Sequence, residues 1–384
     1  MRSGIAIFAS ATTAVALVVA APALAEVRIG VIHSLTGSAS AQGIPQNQAI
    51  DLQIPKETAG EKVTLITLDD ASDPAVAAQN AVKLIEQGKV DLIIGSTTTP
   101  SSIAIAQAAT AAKVPVLPGA PVSFNDPRDQ WIFNTPPPPM KTVVPPVNDM
   151  SRRGIKTVGY LGFSDAWGEV TLKALTAATE NAGIKIIADE RYARSDTSIT
   201  GLVLRLVAAN PDAIFLGVSG SPGVLGNVSV KERFPGPIYN TNGVFNSSFL
   251  KLGGAGLEGI YGSIGAIAIA EDLPDSDPRK AMVKEFKEKY DARYGAGAVD
   301  AQAGFGNDAA MIAWHGIENA LKAGKSKPGT PEFRQAVADG IRALKDLPGV
   351  HSIYNFSDPS WPWGVGDDAT FLVQVKNRKW VLVK

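Results

Sequence analysis

The densest run of side chains able to do chemistry is IGSTTTPSS, Ile94 to Ser102, where hydroxyls fill six of the seven positions from Ser96 to Ser102. Short hydroxyls supply hydrogen-bond donors and acceptors without filling space. Elsewhere, motifs for catalysis fail. Gly304-Phe305-Gly306 lacks the third glycine of a dinucleotide loop and follows no strand. Gly324-Lys325-Ser326 has no upstream glycine at phosphate-loop spacing and reads as a helix C-cap with a solvated lysine. Gly217-Val218-Ser219-Gly220 begins like a nucleophile elbow, but Ser221 stands where the closing glycine belongs. The histidines, His33, His315 and His351, are dispersed without metal-ligand spacing, and there is no cysteine for thiol catalysis. Asp69, Asp70 and Asp73 lack the glycine-centred loop of a calcium site and read as a strand end and a helix cap. No metal or cofactor is called for, and nothing proposes a reaction.

The hydroxyl turn must be positioned by the elements around it. VRIGVIH (27–33), VTLITL (63–68), VDLIIG (90–95) and VPVLPG (114–119) read as buried strands, alternating with helices near 44–57, 74–86 and 100–112. Asp73 before Pro74 and Thr99 before Pro100 read as caps with first-turn prolines. This β-α series predicts a parallel sheet covered by helices on both faces. After the proline run TPPPP (135–139) comes a second series, with strands at 156–163, 184–192, 212–218 and 236–241 and helices near 166–182, 198–209 and 224–232. The last third holds helices near 278–294, 301–323 and 331–344, then VHSIYNF (350–356) and two closing strands. With too few strands for a third sheet, its helices should return to the first lobe and its last strands to the second. The chain then crosses between lobes near 135–145, 262–272 and 348–358, and such crossings make a hinge.

The opening residues 1–25 carry an early Arg, an apolar stretch from Ile5 to Val19 and small residues at Ala23 and Ala25. They read as a secretory signal peptide cleaved after Ala25, which predicts a soluble periplasmic protein. No cysteine follows to take a lipid or form a disulfide framework. A net charge of −1 with scattered Lys and Arg gives no footprint for nucleic acid or an acidic membrane surface. Monomer is the default expectation.

A strand ending at Gly95 that feeds a helix at Pro100 places Ser96 to Thr99 at the carboxyl edge of a parallel sheet, where small ligands bind in open α/β folds. Helix-start amides favour an anion there, so the inferred ligand group is a carboxylate. The start RIGVIHSLTGSASAQG, the central DDASDPAVAAQNAVKLIEQGKVDLIIGSTTT, the VPVLPGAP segment and the YLGFSDAWGE strand-loop together resemble the branched-chain amino-acid (Leu/Ile/Val) binding proteins of ABC importers, which are type I periplasmic binding proteins. The likeness runs over essentially the whole mature chain; the last third matches chiefly in pattern.

The resemblance implies an α/β fold of two Rossmann-like lobes with parallel-sheet cores, joined by a three-stranded hinge. It implies lobe 1 from 26–140 plus about 268–352, and lobe 2 from about 141–267 plus 353–384. It also implies closure on a small ligand, delivered to a membrane permease. By motif position, Thr97, Thr98 and Thr99 hold the carboxylate, with Gly119, Ala120 and Pro121 beside them. Gln42 lies where the family often has an aromatic ring, and Trp167 matches an aromatic from the second lobe. Ser219 completes the ligand candidates with Asn242. Amino-acid binders of this family fix the α-ammonium with a hydroxyl at the position of Pro121 and an acid at that of Asn242. Here both differ, and a buried ammonium without an acidic partner costs several kcal/mol as an order of magnitude. The expected ligand is therefore a carboxylate lacking an α-ammonium, with an aromatic acid of benzoate or hydroxycinnamate type first. Phe124, Phe163 and Phe245 are candidate pocket walls. The alternatives are an amino-acid or amide receptor whose ammonium partner is Asp165 or Glu169, a sensor ectodomain, and, more distantly, an enzyme.

Overall fold

The computed structural model describes residues 26–123, 130–358, 363–366 and 369–383. The expected signal peptide and Phe124 lie outside the described residues. The first sheet is built from β1 (Glu26–His33), β2 (Glu57–Thr58), β3 (Glu61–Asp69), β4 (Leu92–Gly95) and β5 (Val116–Leu117), in the order β2-β3-β1-β4-β5. All but β2 run parallel. The connecting helices are α1 (Ser40–Gln53), α2 (Pro74–Glu86) and α3 (Thr99–Ala111). Because β1 feeds β3 on one side and β4 lies on the other, the strand order reverses between β1 and β4. That reversal opens a crevice at their carboxyl ends.

The second half begins with a helix that the sequence reading did not anticipate. α4 (Pro139–Arg152) contains Pro145 and Pro146, which withhold two amides from the helix. The carbonyls left over, Lys141 O and Thr142 O, accept instead from Thr370 Oγ1 and Ser263 Oγ, each at 2.5 Å. Side chains from distant segments thus replace the missing helical bonds, which no local pattern reveals. There follow β6 (Thr157–Phe163), α5 (Ala166–Asn181), β7 (Lys185–Tyr192), α6 (Thr200–Ala208), β8 (Ala213–Gly217), α7 (Pro222–Lys231) and β9 (Ile238–Asn240). A short helix, α8 (Ser247–Gly253), and a strand, β10 (Tyr261–Ile264), are further additions to the expected elements.

The final third contributes α9 (Pro278–Tyr294), α10 (Ala301–Ala323), α11 (Pro331–Arg342), a two-stranded ribbon of β11 (Leu347–Pro348) and β12 (Ile353–Tyr354), then β13 (Phe371–Lys376) and β14 (Lys379–Leu382). The second sheet runs β14-β13-β10-β9-β8-β6-β7, with β13 and β14 antiparallel and the rest parallel. Its order reverses between β6 and β8, giving a second crevice.

As the sequence suggested, α10 and α11 return to the first sheet: Ile312, Ile317, Phe333 and Ile341 share a core with Val27, Ile29 and Ile94. The closing strands extend the second sheet through β10. Tyr354, Phe356, Val365 and Ala369 pack in the first core too. Near the crossings, Asp308 of α10 accepts from the amides of Val350 and His351 at 2.8 and 2.9 Å and from the Tyr354 hydroxyl at 2.9 Å. Burial raises its pKa above the ordinary carboxylate value. The architecture is that of a type I periplasmic binding protein: two domains with parallel-sheet cores, joined by three crossings. Among the described residues no helix is long and apolar enough to cross a membrane.

Candidate functional site

The loops leaving the strands at both crevices line one partly open cleft with a free volume of about 40 Å³. Gln42, Thr97, Thr98, Thr99, Gly119, Ala120, Pro121, Trp167, Ser219 and Asn242 all line it. The free space suits only a few waters, so an organic ligand needs the two halves further apart than they stand here. They are held together there by Gln42 Nε2, which donates to Gly243 O at 3.2 Å, and by Gln302 Nε2, which donates to Phe245 O at 3.4 Å.

The hydroxyl turn divides its labour. Ser102 Oγ donates to Ser96 O at 2.9 Å and accepts from Ser96 N at 3.2 Å, closing the turn on itself. Ser96 Oγ donates to Asp70, whose other oxygen accepts from Ser34 Oγ at 2.8 Å and Ser72 N at 2.9 Å. Asp70 is fully buried and thereby ties the loops after β1, β3 and β4 together. Thr97 Oγ1 accepts from Ser34 N at 3.1 Å. Gly95 must be glycine: its φ is +135°, and a Cβ there would lie 1.8 Å from Ile32 O.

The helix cap is Thr98, one residue earlier than the sequence suggested. Its Oγ1 accepts from Ser101 N at 3.3 Å, and Pro100 takes a place in the first turn. This correction matters for the site, because it releases the Thr99 hydroxyl from capping. Thr99 Oγ1 is buried in the cavity wall without a partner. Behind Gly119 sits His33, whose burial lowers its pKa to about 3, so the imidazole is neutral beneath this face.

The opposite face is made of longer side chains. Trp167 follows β6 at the start of α5, and its buried Nε1 has no acceptor. Asn242 follows β9, and its Oδ1 is likewise buried and unpaired. Ser219 follows β8 and accepts from Arg194 Nη1 at 2.9 Å. Arg194 also donates from Nε to Asp165 at 2.6 Å and lies 4.2 Å above the Phe163 ring.

Two of the expected aromatic walls are elsewhere. Phe163 is buried behind the site, edge-on to Tyr192 at 5.1 Å, and Phe245 packs on Trp380 at 4.1 Å. Both belong to the second core because a ring that ends or follows a buried strand has apolar neighbours closer than the cleft. The phenylalanine that does line the cavity, beside Trp167, is Phe305, stacked at 3.9 Å on His351. It sits in the Gly304-Phe305-Gly306 stretch, which draws notice only as a failed nucleotide motif. Pro136, Arg194, Gly243 and Gln302 were also missed. Arg194 was findable, since it lies just past the carboxyl end of β7.

Arg194 is the one charged residue among the described lining residues, and none of them is Asp or Glu. The two acids that could have held an ammonium are committed. Asp165 pairs with Arg194 and caps α5 through the amides of Trp167 and Gly168 at 2.9 and 3.3 Å. Glu169 pairs with Arg191 at 3.0 Å and is largely exposed. Among the described residues no group of three metal-ligating side chains occurs.

A family model described as periplasmic binding protein matches residues 26–379. The chain belongs to the periplasmic binding protein family. This periplasmic binding protein is 38% identical to an extracellular ligand-binding receptor from Rhodopseudomonas palustris HaA2, over 94% of this chain and 100% of that one, with a TM-score of 0.88. Its fold is shared by a solute-binding protein of an R. palustris ABC transporter solved with benzoate, at 16% identity, 93% and 95% coverage and a TM-score of 0.76. It is shared equally by a branched-chain amino-acid transporter substrate-binding protein from Streptococcus pneumoniae solved with isoleucine, at 20% identity, 92% and 97% coverage and a TM-score of 0.74. No curated protein matches the chain. The family is one of periplasmic ligand-binding receptors.

Proposed function

We propose that the receptor captures a small carboxylate lacking an α-ammonium, of the benzoate or hydroxycinnamate class, and delivers it to the permease of an ABC importer. The observation that carries this reading is the absence of any Asp or Glu from the described cavity lining. An α-ammonium closed into this space has no anionic partner beyond the ligand's own carboxylate, and uncompensated burial of a cation is costly. The fold does not choose the ligand, since it serves benzoate in one relative and isoleucine in another. Side chains must choose. Thr99 and the start of α3 suit the carboxylate, while Trp167 and Phe305 offer flat apolar surface to a ring.

In this reading the mature receptor begins at Glu26, acts as a monomer in the periplasm and closes by rotation of two lobes. Lobe 1 comprises 26–140 and about 268–352, extended by the core packing to about 369; lobe 2 comprises about 141–267 and the remaining carboxyl-terminal strands. A thermal-shift screen of the chain from Glu26 against aromatic acids, aliphatic acids and branched-chain amino acids tests the proposal, because a ligand that binds the folded state raises its midpoint. Shifts with aromatic carboxylates are the expected result. Shifts confined to amino acids would overturn the reading while leaving the receptor class intact.

A further inference from the structure

The second face of the cavity has more unsatisfied polar capacity than a carboxylate at the first face can use. Trp167 Nε1 is a buried donor without an acceptor, and Asn242 Oδ1 is a buried acceptor without a donor. Unpaired groups of this kind are expensive to bury, and a ligand that completes them recovers that cost. One group able to accept from an indole and donate to an amide oxygen is a hydroxyl. Arg194 stands beside them, and a bare guanidinium would instead invite a second carboxylate. It is not bare: Asp165 holds its Nε at 2.6 Å, Ser219 holds Nη1 at 2.9 Å, and its Cζ lies 4.2 Å from the centroid of the Phe163 ring.

We propose that the Asp165–Arg194 pair is a selectivity device, neutralising the far end of the cavity so that it takes an organic acid whose second head is an uncharged hydroxyl and refuses a dicarboxylate. The inference rests on the carboxylate reading above. A second anion would meet Asp165 across the guanidinium, and the repulsion offsets the attraction of Arg194. A hydroxyl meets no such penalty. Asp165 is thus a positioning residue that sets the charge of the subsite through Arg194, without lining the cavity itself.

The test is calorimetric titration of cinnamate, para-hydroxycinnamate and para-carboxycinnamate into the wild type, Asp165→Asn and Asn242→Leu. Asparagine remains a good helix cap, so the amides of Trp167 and Gly168 keep an acceptor. In the wild type, para-hydroxycinnamate should bind about tenfold tighter than cinnamate, the value of one satisfied pair of polar groups, and para-carboxycinnamate weakest of the three. Asn242→Leu should reduce the preference for the hydroxyl over cinnamate to within about threefold. Asp165→Asn should move the dicarboxylate-to-hydroxyl affinity ratio about tenfold or more toward the dicarboxylate. Equal wild-type affinities for hydroxyl and carboxyl heads, or a ratio unchanged by Asp165→Asn, would overturn the device while leaving the aromatic-acid reading intact. Failure of all three acids, and of benzoate and para-hydroxybenzoate titrated beside them, to bind would overturn both.

Discussion

The two faces of the cavity are built on opposite principles. At the turn after β4 the first is backbone and short hydroxyls, bonded to one another and anchored from behind by Asp70, with Thr99 Oγ1 unpaired, while Gln42, Gln302 and Phe305 from α1 and α10 complete that side. The second is long side chains, with Trp167 and Asn242 both carrying unpaired buried atoms and Arg194 held by three neighbours. A rigid face of amides and hydroxyls suits a feature that every ligand of the class shares. A face of individual side chains suits the feature that distinguishes one ligand from another, because each can change without disturbing the sheet.

The sharpest way to break this contrast is to remove the anchor of the first face. Asp70→Ala leaves the donors Ser34 Oγ, Ser72 N and Ser96 Oγ without their buried acceptor. It should cost about 3 kcal/mol of stability in a denaturant melt and weaken carboxylate binding more than about tenfold, with partial rescue by Asp70→Asn. On the second face, Trp167→Ala should lose about a hundredfold in affinity and Trp167→Phe about five- to tenfold, since phenylalanine keeps a ring and drops the Nε1 donor. Equal losses for the two variants would mean that the indole donor does nothing.

The neutral imidazole under the first face gives a pH test. His33 has its pKa lowered to about 3 by burial, against an ordinary value of 6.5. Between those values the unfolded chain binds more protons, so the stability this residue contributes is complete above about pH 6.5 and declines as pH falls. The decline approaches about 1.4 kcal/mol per pH unit. Asp91 works in the opposite sense, since burial raises it from 3.8 to about 6 and its protonation stabilises the fold as pH falls through that range. The difference between wild type and His33→Leu isolates the histidine. The variant should lose less stability between pH 6.5 and 5 in urea melts at stepped pH.

The smallest predicted effect separates two neighbouring hydroxyls. Thr98→Val removes the cap of α3 and should cost about 1 kcal/mol of stability. Thr99→Val removes an unpaired hydroxyl, so stability should hold while carboxylate affinity falls about five- to tenfold. If both residues behaved as caps, the division of the turn into scaffold and contact would be wrong.

Much of this arrangement was legible before any coordinates. Alternating apolar runs and capped helices specify two parallel sheets, and a loop after a parallel strand must lie at its carboxyl edge. Ten ligand candidates meet in one cavity: the threonines of the hydroxyl turn follow from that reasoning, and the others from the resemblance to the Leu/Ile/Val-binding family. What failed did so where distant partners override local pattern. α4 survives its prolines because Ser263 and Thr370 supply hydrogen bonds from far along the chain. Phe163 and Phe245 were placed by type alone, yet a ring goes wherever apolar neighbours surround it, and only packing reveals which side that is. Arg194 and Phe305 were passed over because neither belongs to a chemical motif, although the position of Arg194 at a strand end was available. Asp165 and Glu169 could not be assigned without their partners, since an acid is free or committed according to what stands beside it.

The central claim, that the cavity has no place for an α-ammonium, is tested most directly by calorimetry on ligand pairs that differ in that group alone: hydrocinnamate with phenylalanine, and isocaproate with leucine. In at least one pair the acid should bind and its amino acid should bind more than about a hundredfold more weakly, as expected for an ammonium buried without an anionic partner. Tighter binding of phenylalanine or leucine than of the matching acid would contradict the account.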